Sequence, residues 1–438
     1  MVRGHRKSPL ALHLLQRRQP RCNGGPLNIP VNQQRLNAEL EELATFSDAP
    51  APAVTRVLWT ARDLQARAYF KSLCAEAELD VREDALGNIF ARFEGSEPEL
   101  TAVATGSHTD AIPHSGRFDG CVGVLGGLEA LRALKSAGFT PRRSLELIMF
   151  TSEEPTRFGL GCLGSRTMSG VLSPEKLRSL KDGDGIDFET ARHEGGYTGE
   201  LESVRLPEGC YHAFVELHIE QGPLLEAAGL PLGIVSAIAA PATVKLTIEG
   251  EGGHAGARLM PGRRDALLAG SELALAVENA ALSTGAIDTV ATTGFFQIHP
   301  GAVNSIPSRT QIEIDVRDIE LERRDAVVSQ IRDAWAEIAA RRNVSGTLET
   351  LNADPPATCA PSIIQASQKA AAALDLPFHN MVSRAYHDAL FMARLCPTGM
   401  IFIPSKAGIS HRPDEYSSPE EIQRGVEVLA LSLAELAS

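Results

Sequence analysis

The chain of 438 residues has no C-x-x-C pair. Its seven cysteines, Cys22, Cys74, Cys121, Cys162, Cys210, Cys359 and Cys396, stand far apart, and their odd number leaves at least one unpaired. That pattern argues against a disulfide framework or an all-cysteine structural zinc, and it fits a reducing, intracellular compartment. Basic residues are in deficit, 42 Lys+Arg against 55 Asp+Glu, for a net charge of -13 and a pI near 5.5. A broad phosphate-tracking surface is therefore absent, and nucleic acid is not an expected partner. No apolar run approaches the roughly 18 residues of a membrane span, so no membrane is expected either. The stretch "DGCVGVLGG" follows a strand and opens a helix, but it lacks both G-x-G-x-x-G and a P-loop lysine. Its glycines are better explained by close helix packing beside Asp119 than by a nucleotide.

Acidic residues are also missing from the first stretch, "MVRGHRKSPLALHLLQRRQPRCNGGPLNIP", which has several arginines. It reads equally as an organellar transit peptide, although not Ser-rich, or as a disordered extension; its apolar "LALHLL" is too short for a secretory core. Residues 1–32 are set apart on that ground. The expected location is the cytoplasm, with organellar import as the alternative.

From Gln33 onward short apolar runs alternate with helical ones. "LTAVATG", "SLELIMF", "HAFVEL" and "GMIFIP" read as buried strands, and "GVLGGLEALRALKSAG" as a helix with Leu125, Leu128, Leu131 and Leu134 on one face. The alternation implies an α/β sheet covered by helices. Between Ala239 and Leu351 the rhythm changes to βαββαβ, starting from "TVKLTIEG" with Val244, Leu246 and Ile248 alternating, which is the split ferredoxin-like order. The expected domains are 33–238 and 352–438, forming one catalytic unit, with 239–351 inserted.

Ligands in an open α/β sheet bind just past the carboxyl ends of strands. After the first of the four strands come His108, Asp110 and Asp119; after the second, Glu153 and Glu154; after the third, His218 and Glu220; after the fourth, His411. One such histidine is ordinarily a hydrogen-bonded structural residue. Several together with carboxylates, and no sulfur, suit Zn, Mn, Co or Ni at a catalytic site. Five candidate ligands, His108, His218 and His411 with Asp119 and one member of the Glu153–Glu154 pair, are too many for one open catalytic ion and suit two that share a bridging carboxylate. The adjacent Glu153 and Glu154 then divide the work. One holds a cation, and its neighbour takes the proton from the attacking water and passes it to the leaving amine.

The motifs G-S-H-x-D, D-G-x-x-G-V, E-E-x-x-R-F, H-I-E-Q-G, G-G-H-A-G, N-x-I-P and S-H-x-P-x-E stand in order through the chain. On these the sequence resembles the dinuclear metal amidohydrolases of the hydantoinase/carbamoylase branch of the M20 peptidase superfamily. The resemblance implies a di-metal α/β catalytic domain with a mixed sheet and an inserted ferredoxin-like dimerisation and lid domain. It implies one ion held by His108, Asp119 and His218 and another by Asp119, Glu154 and His411, manganese before zinc. Glu153 would be the general base and acid, and Asp110 would orient His108. Arg317 would clamp a substrate carboxylate, Gln221 and Asn304 would add polar contacts, and His254 would stabilise the oxyanion of the partner's site in a homodimer. Within the branch, "SHTDAIPHSGRFDG", "TSEEPTRFG", "CLGSR", "SAIAAPA" and "SRAYHDALFMARL" resemble the ureidoglycolate amidohydrolases, with Tyr386 narrowing the pocket and offering a hydroxyl. The implied reaction cleaves the C–N bond of a ureido group beside a carboxylate-bearing carbon, releasing ammonia and carbon dioxide. The alternatives are N-carbamoyl-L-amino acid, allantoate or β-ureidopropionate hydrolysis and, more distantly, an exopeptidase or aminoacylase.

Overall fold

The computed structural model describes residues 29–438 and, ahead of them, the backbone of a short antiparallel pair, Arg21–Cys22 with Gly25–Pro26. Most of the basic extension read over residues 1–32 lies outside the described residues. The four apolar runs form four adjacent parallel strands, in the spatial order Thr398–Ile403, Tyr211–Ile219, Ala102–His108 and Leu145–Phe150. Antiparallel strands extend this centre on both sides, Ile89–Phe93 and Asp80–Glu83 at one edge and Gly233–Ile238 at the other. With Ala357–Thr358 and His379–Ser383 against Gly233–Ile238 the mixed sheet reaches nine strands.

The central strands are apolar throughout because both their faces are covered. Leu145, Leu147 and Met149 enter one core while Ile148 and Phe150 enter the other; Val215 and Leu217 likewise oppose Phe214. The first core is closed by helices Gln33–Thr45, Cys121–Ser136 and Pro419–Leu436. Helix Cys121–Ser136 is buried from Cys121 to Leu134, which its glycines permit. A Cβ on Gly123 would lie 2.4 Å from the Leu217 carbonyl oxygen, so the helix rests directly on the sheet.

The segment between the two halves of this unit forms its own four-stranded antiparallel sheet, ordered Val290–His299, Arg309–Asp318, Ala240–Glu249 and Ser345–Ala353. Helices Ala266–Ser283 and Leu321–Arg342 cover one face. Val244, Leu246 and Ile248 are buried as their alternation predicts, the last two in a separate core with Ile312, Ile314 and Trp335. This is the expected βαββαβ order. Its outer edge is apolar and bare: Leu275, Leu282, Ile287, Phe295 and Ile298 are all exposed. Among the described residues no helix is long and apolar enough to cross a membrane.

Candidate active site

All four parallel strands point their carboxyl ends at one cleft of about 460 Å³, which His108, Asp119, Glu153, Glu154, His218, Gln221, Arg317, Tyr386 and His411 help to line. His108 ends its strand, His218 is the penultimate residue of the next, and the other groups sit on the loops that follow. Three of those loops contain a non-glycine residue with positive φ: Ser152 at 55°, Gln221 at 57° and His411 at 58°. Each such residue costs about 1–3 kcal/mol, and such strain characteristically collects where side chains must be aimed.

Asp119 is the centre of the cleft. His218 Nε2 lies 3.2 Å and His108 Nε2 3.5 Å from its Oδ1, and His411 Nε2 lies 3.4 Å from its Oδ2. His411 also approaches Glu154 Oε1 at 3.2 Å. The ligand atoms of His108, Asp119 and His218 lie within 4.8 Å of one another, as do those of Asp119, Glu154 and His411. Nδ1 of His108 donates to the Asp110 carbonyl oxygen (3.0 Å) and Nδ1 of His218 to that of Ile219 (2.9 Å). A carbonyl only accepts, so both rings carry a proton on Nδ1 and turn Nε2 toward the carboxylate. At His218 that lone pair accepts from the Gly120 N–H at 3.2 Å, while at His108 it faces the Asp119 carboxylate, an arrangement that a second proton or a metal ion between them relieves. The chemistry of this donor set therefore fits divalent ions.

The charges respond accordingly. Burial disfavours charge on His108, but Asp119, Glu153 and Asp110 outweigh it and hold the imidazole well above its ordinary range. Asp119, although buried, is held well below the usual carboxylate range by hydrogen bonds to His108, His218 and His411. His411 is pushed up to about 11 by its hydrogen bonds to Asp119 and Glu154. Glu153 moves the other way for a carboxylate: burial, reinforced by Glu154, Asp388 and Asp119, raises it well above the usual range against the pull of His108. A carboxyl tuned upward beside a carboxylate held ionised is the arrangement general acid–base chemistry requires.

A model of Peptidase family M20/M25/M40 matches residues 104–435. The chain belongs to this family. It is 55% identical over 421 residues to the ureidoglycolate hydrolase of Oryza sativa subsp. japonica, covering 94% of this chain and 87% of that one. It is 40% identical over 412 residues to the N-carbamoyl-L-amino acid amidohydrolase of Geobacillus stearothermophilus, covering 93% and 99%. The crystal structure of AtUAH in complex with (S)-hydroxyglycine is similar at a TM-score of 0.87 and 53% identity, over 93% of this chain and 98% of that one, and the complex of AtUAH with glyoxylate matches equally.

Some expected residues of this M20 chain take other partners. The Asp110 carboxylate stands 3.7 Å from His108 Nδ1; it accepts instead from the Glu153 and Glu154 N–H groups (3.2 and 3.0 Å), while the Asp110 carbonyl orients the ring. Glu220 caps the short helix that follows it, accepting from Leu224 N–H at 2.8 Å. Gln221 donates to Asp119 Oδ2 at 2.6 Å. Arg317 pairs with Asp315 (2.8 Å) and donates to the Arg384 carbonyl (3.2 Å) at the mouth of the cleft. The Tyr386 hydroxyl donates to Asp354 at 2.7 Å. His254 and Asn304 do not line this cleft: both are exposed, His254 on the short pairing of Gly253–His254 with Ser305–Ile306 and Asn304 immediately ahead of it.

Other residues of the M20 site escaped the reading of the sequence. Glu415, which ends the S-H-x-P-x-E motif, accepts from the N–H groups of Phe118 (2.8 Å) and Asp119 (3.1 Å) and so fixes the Asp119 loop. Glu216 is fully buried in the strand of His218, accepting from Ser107 Oγ and Ala389 N–H. His387 packs its ring edge-on to His218 at 4.6 Å. A glutamate inside the apolar "HAFVEL" was the available signal for Glu216; Glu415 and His387 lie in stretches already quoted, S-H-x-P-x-E and "SRAYHDALFMARL", which were the signals for them.

Proposed function

We propose that this chain hydrolyses the ureido group of ureidoglycolate. The observation that carries the reading is the Asp119-centred cluster with the upshifted Glu153 beside it, in a cleft that also holds Arg317. Its 55% identity to a ureidoglycolate hydrolase supports the substrate. His108, Asp119 and His218 would hold one ion and Asp119, Glu154 and His411 the other, with manganese favoured over zinc. When bound, such ions polarise the ureido carbonyl and make water acidic enough to attack it near neutral pH.

Glu153 takes the proton of the attacking water and returns it to the terminal nitrogen, whose bond to the carbonyl carbon breaks to release ammonia. The carbamate left behind loses carbon dioxide to give hydroxyglycine, which sheds a second ammonia and becomes glyoxylate. These are the two molecules named in the AtUAH complexes, an agreement that supports the order. Arg317 would receive the substrate carboxylate in exchange for Asp315, with Gln221 as a polar contact. His254 and Asn304, exposed on the 239–351 insertion, would complete the cleft of a second copy. The bare apolar edge of that insertion supports the homodimer this requires. The proposed compartment is the cytoplasm, or an organelle reached through the basic first residues.

The deciding assay is ammonia release by the manganese-loaded protein from ureidoglycolate, allantoate, N-carbamoyl-β-alanine and N-carbamoyl amino acids. Preference for ureidoglycolate is expected. Glu153→Gln, which keeps the shape and removes the base, should lower kcat by about 10²–10⁴ with KM little changed. Preference for carbamoyl amino acids would move the chain to the second reading, favoured by its 40% identity to such an enzyme. No release from any of them would overturn both.

A further inference from the structure

The cleft has one wall that the reaction does not use. Arg166, buried on the helix Leu163–Met168, places Nη1 2.7 Å from Asp354 Oδ2. Its other Nη donates to the Tyr386 hydroxyl, and that hydroxyl in turn donates to Asp354 Oδ2 at 2.7 Å. Arg166 is held from behind as well, with Nε donating to the Gly161 carbonyl (2.9 Å) and the guanidinium 4.5 Å from the centre of the Phe391 ring. The Tyr386 hydroxyl thus already donates once and accepts once before a substrate enters. Arg166 and Tyr386 both line the cleft, and both are already engaged with Asp354.

Asp354 has a second set of attachments. It follows directly on the last strand of the four-stranded sheet, Ser345–Ala353, where the chain returns to the nine-stranded one. Arg324, fully buried on the helix Leu321–Arg342, donates to the Asp354 carbonyl and also reaches the Ala240 carbonyl (3.4 Å), where the chain enters the same sheet. Both crossings between the two units meet at one guanidinium. The Tyr386 loop is gripped from the inserted unit too, because Arg384 pairs with Asp288 and its carbonyl accepts from Arg317.

We propose that Asp354 is the positioning residue that sets the size of the substrate pocket from the crossing between the two units. Together with Arg166 it clamps Tyr386 as a fixed wall, so that a small hydroxylated ureido acid fits and a bulky carbamoyl amino acid is refused. The proposal rests on the ureido reading and deepens it, since it names what separates two substrates that share the same chemistry. Isolated side-chain packing would give the same wall without the tie to the crossing. The difference is that the clamp ties the wall to the inserted unit, so loosening Asp354 frees both.

The test uses the full-length, manganese-loaded protein and the variants Asp354→Asn, Tyr386→Phe and the two combined, with ureidoglycolate and N-carbamoyl-L-leucine as substrates. Asp354→Asn should lower the kcat/KM preference for ureidoglycolate by about tenfold or more, mainly by lowering KM for the bulky substrate. Tyr386→Phe keeps the ion pair and the ring, so it folds even where Asp354→Asn does not, and it should shift the preference in the same direction. The double variant should add little to either, because both changes open one clamp. An unchanged preference, additive effects, or a parallel loss for both substrates would overturn the proposal. Hydrogen–deuterium exchange reads the clamp without turnover: segments 160–168, 352–356 and 384–391 should exchange faster in Asp354→Asn. Unchanged exchange would overturn the clamp whatever the substrate, whereas a wild type that releases ammonia from neither compound would sink the ureido reading alone.

Discussion

Gly120→Ala asks whether the histidine cluster is built to the tolerance a metal demands. Gly120 sits at the N-cap of helix Cys121–Ser136 with φ 63° and ψ -42°, a conformation an L-residue adopts only under strain of about 1–3 kcal/mol. A Cβ there would lie 2.4 Å from His108 Nε2, 2.5 Å from Cδ2 and 2.6 Å from Cε1. The ring has no free direction in which to turn, since it is buried and its Nδ1 is tied to the Asp110 carbonyl. Restoring ordinary contact needs a retreat of about 1 Å. Ligand distances in working sites hold within about 0.2 Å, so on the proposed assignment a shift of that size should cost His108 its place as a ligand.

The steric part adds about 1–3 kcal/mol of overpacking, and even together with the backbone strain this leaves a protein of ordinary stability folded. The expected result is a native circular dichroism spectrum and bound metal reduced toward one ion per chain, because Glu154 and His411 still serve the other group with Asp119. Ammonia release should fall by about a hundredfold or more, the usual cost of a 1 Å misplacement. Gly138→Ala is the control. Its φ is also positive, at 70°, but nothing lies within 4 Å of its would-be Cβ, so it should lose stability and keep metal and activity. Two tightly bound ions and control-level turnover in Gly120→Ala would refute the assignment of His108 to a metal.

The remaining predictions concern the partner, the proton and the carboxylate. If His254 acts in the site of a second copy, Glu153→Gln and His254→Ala are each inactive alone, but refolding them together should restore about a quarter of the wild-type sites in a random mixture of dimers; gel filtration with ammonia release checks this, and no recovery would place His254 elsewhere. His411, pushed up to about 11 in the metal-free protein, holds a proton that a metal must displace. Manganese affinity should therefore rise with pH across neutrality and release protons, read by calorimetry in two buffers of different ionisation enthalpy. If Arg317 anchors the substrate carboxylate as proposed, Arg317→Met should raise KM for ureidoglycolate far more than it lowers kcat, because an anchor rather than a proton carrier is removed.

What the sequence made legible follows from how a parallel sheet is built. Its central strands are buried on both faces, so "LTAVATG", "SLELIMF", "HAFVEL" and "GMIFIP" stood out as apolar runs, and whatever polar residue came next had to lie at one edge. His108, Glu154, His218 and His411 needed no knowledge of pairing order to be brought together, because parallel strands share a direction. Glu415, Arg166 and Asp354 were different. Glu415 and Arg166 end quoted motifs, but no motif says what they hold, and Asp354 has ordinary local sequence; each is buried against a partner far away along the chain, Asp354 being 188 residues from Arg166 and 32 from Tyr386. A sequence read strand by strand assigns such residues to the surface. The sequence likewise could not show that the Tyr386 hydroxyl, expected toward the substrate, is also bonded to Asp354. Motifs of one loop and one strand thus declare the chemistry of this cleft, whereas its shape is set where distant segments cross, and there only the three-dimensional arrangement speaks.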